Sequence, residues 1–181
     1  MSLFLLEFDT TRPETADVPR LLESATQAAT RAGGEVIETH IAPAMNRAYV
    51  VVEHDRENGL KAGLAVAAVP EHELAQVRLV GAELDDVKAN KTQPGFLVEW
   101  DLPKELDMDT YLARKKEKSP LYAQVPEVSF RRTYVREDMM KCLCFYDGPD
   151  EDAVRHARDV VSTPVDRLAR LETGTPVPGQ S

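Results

Sequence analysis

Hydrophobic and polar residues alternate along two short stretches of this chain that are almost identical. FLLEFD occupies residues 4–9, and FLVEWD occupies residues 96–101, which is 96 − 4 = 92 positions later. In both copies large apolar residues recur at every second position, the period that is typical of a β-strand with two different faces. A strand that occurs twice indicates an internal duplication, and a duplicated chain is expected to fold into two similar halves.

The rest of the chain repeats with a slightly different offset. At an offset of 94, ETHIAPAMNRAYVVVEHD (38–55) lies over RTYVREDMMKCLCFYDGP (132–149), so that strand, polar turn and strand match without a gap. Pro70 lies over Pro164, and the LAQVRL that starts at Leu74 lies over the LARLET that starts at Leu168. The alternative is that two unrelated α+β stretches have a similar spacing of strands, turns and helices. Several landmarks at one offset favour duplication.

Each half is predicted to be a β-α-β-β-α-β unit. The first has strands over 4–9, 36–41, 48–53 and 74–80, and helices over 18–32 and 60–68. The second has strands over 96–100, 129–135, 141–146 and 168–171, and helices over 109–122 and after the N-cap Asp150. The predicted organisation is a first ferredoxin-like repeat at 1–84, a linker at 85–95, a second repeat at 96–172 and a disordered tail at 173–181.

A β-α-β-β-α-β unit is the ferredoxin-like arrangement, one antiparallel sheet with both helices on one face. The other face of each predicted sheet is too apolar to lie in water and needs cover. Two units in one chain satisfy this need by laying sheet against sheet. The predicted fold class is therefore α+β, with two ferredoxin-like repeats that form an intrachain pseudo-dimeric α+β barrel whose helices lie outside.

Composition and charge limit the classes of partner that the protein is expected to bind and the cellular compartment in which it is expected to reside. The 22 basic and 31 acidic residues give a net charge of −9, which opposes nucleic-acid binding. The densest basic run, ARKKEKS at 113–119, is interpreted as a solvated helix face. The longest apolar stretch, 64–70, is too short to span a membrane. Two cysteines and a chain that begins directly with a strand pattern, without a secretion signal, favour a reducing, cytoplasmic location.

The second half contains the motifs of a known family. One strand ends with Thr133-Tyr134-Val135, and a charged turn follows it. After the turn come Cys144-Phe145-Tyr146-Asp147-Gly148-Pro149-Asp150 and then, on a predicted helix, Ala153-Val154-Arg155. Residues 96–172 thereby resemble the nickel-binding-protein-like bacterial domain family, which is mostly of unknown function. The resemblance implies a ferredoxin-like dimeric α+β barrel.

At least one branch of that family binds nickel and carries a histidine just before its Ser-Tyr-Val triplet. This chain has Arg132 at that position, and Glu38 at the equivalent position of the first half. A guanidinium stays protonated and has no free lone pair, so Arg132 cannot be a metal ligand. We therefore expect no metal and no cofactor, with nickel as the alternative that the resemblance implies.

Two glutamates stand in otherwise apolar strands. Glu7 and Glu99 occupy matching positions of the repeated strand, and a carboxylate among core residues must be paired, neutralised or hydrated, so it often marks a cavity. The alternative is an exposed edge or a salt bridge to Arg131 or Arg132. Glu99 with Arg131, Arg132 and Tyr134 would suit a small acid, because arginine binds a carboxylate through two hydrogen bonds.

Histidines and cysteines are the remaining candidates. His40 lies opposite Tyr134 in the duplication and suits a general base or a ligand, the alternative being a hydrogen-bonded or surface histidine. The other histidines, His54, His72 and His156, are expected at the surface. Cys142 and Cys144 point to one sheet face and are either buried core thiols, a soft-metal site or a nucleophile. The sequence has no Gly-rich phosphate loop, nucleophile elbow or HExxH motif.

The function predicted from these observations is a small-molecule pocket protein with a mostly apolar pocket between sheet and helices. Its ligand would be a hydrophobic or carboxylate-bearing metabolite, and its chemistry of a cofactor-independent isomerase, cyclase, lyase or monooxygenase type. The alternatives are a divalent-metal (nickel) binding protein and a non-catalytic carrier or scaffold. The expected partner is a small-molecule ligand, with a homo-oligomer left open. The predicted site comprises catalytic Glu99, Tyr134 and His40, and ligand-binding Arg132, Arg131 and Glu7.

Overall fold

The chain folds into two β-α-β-β-α-β units joined by a short helix. The structure, a computed structural model, describes residues 1–90 and 92–172. In the first repeat the elements are β1 (Ser2–Asp9), α1 (Val18–Arg31), β2 (Glu35–Ala42), β3 (Arg47–His54), α2 (Glu57–Val66) and β4 (Glu73–Val80). Helix α3 (Leu84–Ala89) follows, and then β5 (Phe96–Asp101), α4 (Met108–Lys118), β6 (Ser129–Arg136), β7 (Lys141–Asp147), α5 (Glu151–Val160) and β8 (Arg167–Arg170).

The predicted strands and helices are all present, with shifts of a few residues at their ends. Helix α4 ends at Lys118 rather than at residue 122, and a 3-10 helix over Ser119–Gln124 continues it. Pro120 explains this change, because it has no N–H for the next helical hydrogen bond. The predicted linker contains α3. The predicted tail, 173–181, lies outside the described residues, and the domain boundaries stay a prediction.

All eight strands belong to one antiparallel sheet that closes on itself. Their order is β2-β3-β1-β4-β6-β7-β5-β8, so the β4–β6 pairing joins the two repeats. At the other end the backbone N–H of Glu172, just after β8, donates to the carbonyl of Ile41 in β2 at 2.9 Å. The sheet is therefore the predicted α+β barrel, and the fold class is confirmed. Strands β2 and β6 lie on opposite sides of this ring.

The strand registers confirm the duplication. The strands of each repeat have the same order and the same pairing, and equivalent residues lie side by side. In the first repeat the aligned residues are Glu7, Tyr49 and His40, and in the second they are Glu99, Leu143 and Tyr134.

Both repeats also carry a register shift at the same place, before Glu38 in β2 and before Arg132 in β6. A shift of this kind inserts one extra residue and bends the strand. Strict alternation would place Phe130, Arg132 and Tyr134 on one face. Because of the shift, Phe130 instead packs with the helix-facing core, and Tyr134 packs in the barrel interior.

Three apolar cores follow from this arrangement. One lies between sheet and helices in each repeat, and the third fills the barrel interior with Leu5, Tyr49, Leu97, Leu143 and Phe145 among others. Along β1 and β5 the even-numbered residues face the helices and the odd-numbered residues face the barrel, so Glu7 and Glu99 point inward. Within the described residues, no helix is both long enough and apolar enough to cross a bilayer.

Candidate functional site

Three of the predicted site residues contact one buried carboxylate in the barrel interior, that of Glu38. Arg132 donates to Glu38 from both Nε and Nη2 at 3.0 Å, and the hydroxyl of Tyr134 donates to the same carboxylate at 2.9 Å. Nε2 of His40 also contacts it. Burial raises the pKa of Glu38, but His40 and Arg132 more than offset that effect and lower the pKa to about 2. Glu38 is therefore an ionised and fully engaged anion.

Arg132 was expected to pair with Glu99, and that expectation is wrong. Glu99, which is 1% exposed, accepts a hydrogen bond from Tyr49 at 2.7 Å and pairs with Lys141 at 3.2 Å and with Arg167. Burial of Glu99 opposes ionisation, but Lys141 and Arg167 lower its pKa. The partner of Arg132 is Glu38, because β6 and β2 face each other across the ring, which the order of residues in the chain does not reveal.

Lys141 joins the two repeated glutamates. Its ammonium lies 2.7 Å from Glu7 as well as 3.2 Å from Glu99, and Arg47 lies 3.4 Å from Glu7. This group borders an open cleft of about 670 Å³ at one end of the barrel. Arg47, Arg132, Arg136, Lys141 and Arg167 each form an ion pair with a carboxylate. Lys104, an exposed residue of the cleft lining, forms none among the described residues.

Arg131 is the one predicted site residue that stands apart. It is the extra residue at the register shift in β6, and it pairs with Asp147 and with the hydroxyl of Thr92 at 3.0 Å. The structure thus brings His40, Arg132 and Tyr134 together at Glu38, and brings Glu7 and Glu99 together at Lys141. The roles assigned to these residues from the sequence stay predictions.

A second cavity lies on the opposite face of the sheet, beneath the helices of the second repeat. Its volume is about 450 Å³, a size that suits a small ligand. This is the kind of place where a pocket was predicted, between sheet and helices, but the predicted polar residues face the barrel instead. The apolar part of its lining comprises Trp100, Leu106, Tyr111, Tyr122 and Val161, and the cations are Arg114, Lys115, Lys118 and Arg158. One carboxylate, that of the exposed Glu117, also borders the cavity.

Arg158 is the most unusual residue of this cavity, because its side chain is only 2% exposed. One Nη donates to the hydroxyl of Tyr146 at 3.1 Å and to Sγ of Cys144 at 3.5 Å, and the other donates to the carbonyl of Pro164 at 2.6 Å. Its Nε is buried without a hydrogen-bond partner. Burial of a cation with an unused hydrogen-bond donor lowers the stability of the folded protein, so the presence of Arg158 here calls for an explanation.

Lys115 also turns into the cavity. Its ammonium lies 4.1 Å from the ring centre of Phe130, and burial lowers its pKa. The interpretation of residues 113–119 as a solvated helix face is therefore wrong for this lysine. Within residues 1–90 and 92–172, no carboxylate forms an ion pair with any of the cavity's four cations, although acidic residues outnumber basic ones in the chain.

In the first repeat the region equivalent to this cavity is a purely apolar core. At the offset of 94, Arg158 corresponds to Leu64, which is 1% exposed and packs with Val50, Val52 and other apolar residues. The fold therefore does not require an arginine at this position. Two sequence signals could have identified Arg158: its match to Leu64, and its place beside Ala157 in the apolar stripe of α5.

Two cysteines of β7 lie close to Arg158. Cys142 and Cys144 are buried and free, with their Sγ atoms 3.8 Å apart, and Thr133 donates to Cys144 at 3.1 Å. The hydrogen bond from Cys142 lowers the pKa of Cys144, and so do Arg158 and Lys115, against the opposing effect of burial. The same contact and burial raise the pKa of Cys142. Buried thiols were one of the sequence alternatives, and both cysteines are buried.

His54 was expected at the surface, and that is wrong. It is 3% exposed, and its Nε2 lies 2.9 Å from the carbonyl of Ala32, which places it at the C-terminal end of α1. The α-carbon of Gly59 faces its ring so closely that an added methyl group would lie 3.0 Å from it. The ring therefore fills a gap between two helices, which alternation within β3 does not predict.

The residues at the nickel position of the resembling family do not suit a metal. Arg132 offers no lone pair, and the Glu38 carboxylate is already used by Arg132, Tyr134 and His40. Among the described residues there is no group of three His, Cys, Asp or Glu side chains placed to hold a metal ion.

Comparison with known proteins agrees with this fold. Residues 96–171 match the family model described as nickel responsive protein SCO4226-like, which confirms the resemblance found for the second repeat. A search among curated proteins found no match.

Two solved structures are similar to nearly the whole chain. A candidate monooxygenase from Lactobacillus acidophilus NCFM has 10% identity and a TM-score of 0.50, with 94% of this chain and 92% of that chain covered. A candidate chlorite dismutase has 12% identity and a TM-score of 0.54, with 97% of each chain covered. At such identities the similarity shows the fold alone.

Proposed function

We propose that this protein binds a small hydrophobic molecule that carries a carboxylate, in the cavity beneath the helices of its second repeat. One observation carries the proposal: four cations surround an aromatic cavity, and none has a carboxylate partner in the described part of the chain. The buried and half-buried cations of the barrel, Arg132 and Lys141 among them, do have such partners. An anionic ligand would supply the missing counter-charge.

The chemistry of the lining defines the ligand. Trp100, Tyr111 and Tyr122 offer apolar surface to an aromatic ring or a short acyl chain. Arg158 supports the anionic end, since its Nε is an unused donor and a guanidinium binds a carboxylate through two parallel hydrogen bonds. Four cations against the single carboxylate of Glu117 in the lining, in a chain of net charge −9, would also favour anions at the entrance.

The proposal extends to a cofactor-independent reaction on this ligand, of isomerase, cyclase, lyase or monooxygenase type, and that extension rests on analogy of fold. The catalytic roles predicted for Glu99, Tyr134 and His40, and the ligand-binding roles predicted for Arg132, Arg131 and Glu7, are not needed for binding in this cavity. Five of these residues face the barrel, on the other side of the sheet.

The single tryptophan of the chain makes the test direct. Trp100 lines the cavity, so its fluorescence reports on occupancy. We expect phenylacetate and octanoate to change this fluorescence saturably, and phenylacetamide and octanamide, which have the same shape without the charge, to bind at least about tenfold more weakly. Equal binding of acid and amide, or no saturable change with either acid, would overturn the proposal.

A further inference from the structure

The thiol of Cys144 is surrounded by donors and cations. It is fully buried in β7, and its Sγ accepts from Thr133 at 3.1 Å and from Arg158 at 3.5 Å, with Sγ of Cys142 3.8 Å away. Two donors on one sulfur, one of them a cation, suit a thiolate better than a thiol, since a thiol is a weak acceptor. The titratable and charged groups that face it are Arg158 from α5, Lys115 and Tyr111 from α4, Tyr122 from the 3-10 helix, and Cys142 and Tyr146 from β7.

The first repeat again serves as an internal control. Cys144 corresponds to Val50 and Arg158 corresponds to Leu64 at the offset of 94, and both of those residues belong to one apolar core. The second repeat thus has a thiol and a guanidinium in contact where the first has two hydrocarbon side chains. A buried cation needs a counter-charge, and Cys144 is the group next to Arg158 that can supply one.

We propose that the Cys144 thiolate is the counter-ion of Arg158 in the empty cavity, and that a bound organic anion takes over this role. Each binding event then transfers one proton from solvent to the thiolate, so that protein, ligand anion and proton combine into a complex with a neutral thiol. The inference rests on the proposed function, because it concerns the same cavity and the same class of ligand. It adds a linkage between ligand affinity and the protonation of one named sulfur.

The sign of the linkage follows from the charges. A ligand anion beside Arg158 offsets the charge that stabilises the thiolate, so the pKa of Cys144 is higher in the complex than in the empty protein. Below the lower pKa the thiol is already protonated, and affinity does not change with pH. Between the two values affinity falls as pH rises, by up to about tenfold per pH unit. Above the higher value it is constant again.

The test is the affinity of phenylacetate as a function of pH, followed by Trp100 fluorescence, with the ultraviolet absorbance of the thiolate recorded in parallel. We expect wild type to lose affinity with rising pH, and to lose thiolate absorbance when octanoate, which has no aromatic ring to absorb in that range, is added. Cys144→Ser should bind with a flat pH profile, and so should Cys144→Val, which introduces the side chain that the first repeat tolerates. The matched control Cys142→Ser should keep a pH-dependent affinity, because Cys144 is still present.

The outcomes separate the two proposals. If no acid binds, the proposed function is wrong. If phenylacetate binds wild type with a flat pH profile and octanoate causes no loss of thiolate absorbance, the function stands and the role of Cys144 is wrong. Lys115, whose pKa burial lowers, would produce a slope of the same sign. A slope that persists in both Cys144 variants would therefore assign the linkage to Lys115 and overturn the proposal.

Discussion

Arg132 and Glu38 occupy equivalent positions of the two repeats, 94 residues apart, and they form an ion pair with each other across the barrel. In a barrel made of two identical halves, this place would hold two like charges. Duplication within one chain allows the two positions to differ, and they have become a cation and an anion. The pair therefore links the repeats, at the position where the resembling nickel family carries its histidine.

Removal of one partner of this pair should be costly. Arg132→Met removes the guanidinium that pairs with the buried Glu38 anion, and we expect it to lower the free energy of unfolding by about 3–5 kcal/mol. Glu38→Leu combined with Arg132→Met should recover at least half of that loss, since both charges are then gone. Urea denaturation of the three proteins measures both values.

Arg131→Met is the matched control, because its more exposed pair with Asp147 should contribute no more than about 1 kcal/mol. The sequence-based prediction for Arg132 differs. It makes Arg132 a ligand-binding residue, whose removal would cost about 1 kcal/mol of stability and mainly weaken ligand binding. A small loss of stability together with a large loss of phenylacetate affinity would support that prediction.

Acid should weaken the fold through Glu38. Its pKa falls from 4.5 to about 2 in the folded protein, so its contribution is complete above pH 4.5 and is lost as pH falls toward 2. At 1.36 kcal/mol per pKa unit the contribution is about 3 kcal/mol. Denaturation curves recorded between pH 5 and about pH 2.5 should show a steeper loss for wild type than for the Glu38→Leu, Arg132→Met double variant. Parallel curves would contradict this assignment.

Nickel should not bind tightly at the family's histidine position. Arg132 places a cation without a lone pair there, and Glu38 has no unused oxygen. Calorimetry with nickel chloride on chelator-treated protein should show no stoichiometric binding. Arg132→His, which restores an imidazole beside Glu38 and His40, is the variant in which weak binding should appear. Tight, stoichiometric binding by wild type that Glu38→Leu abolishes would show that this position does hold the metal.

The sequence predicts the elements of this fold well, because alternation of period two and helical spacing are local properties. The repeated Glu7 and Glu99 also predict the equivalence of the halves. The partner of Arg132 could not be predicted, since it depends on which strands face each other across a closed ring. The faces of Phe130 and Arg131 depend on one extra residue in β6.

Arg158 was missed for another reason. A charged residue on a helix is usually solvated, and Arg158 differs from Arg155, three positions earlier, in its match to Leu64 and its place beside Ala157 in the apolar stripe. Lys115 was missed in the same way, because its run of charges has the composition of an exposed helix face. The signal lay in the comparison of the two repeats, which sets a charged buried position in the second against an apolar one in the first.

The most direct test of the central claim is the affinity of the Arg158→Leu variant for phenylacetate, measured by Trp100 fluorescence. Leucine occupies the equivalent place in the first repeat, so the variant should fold, which its melting temperature checks. We expect phenylacetate to bind at least about 30-fold more weakly than to wild type, since a buried charged contact is lost. Phenylacetamide binding should be unchanged, and the exposed control Arg155→Ala should behave as wild type. Unaltered phenylacetate affinity in a folded Arg158→Leu variant would contradict the account.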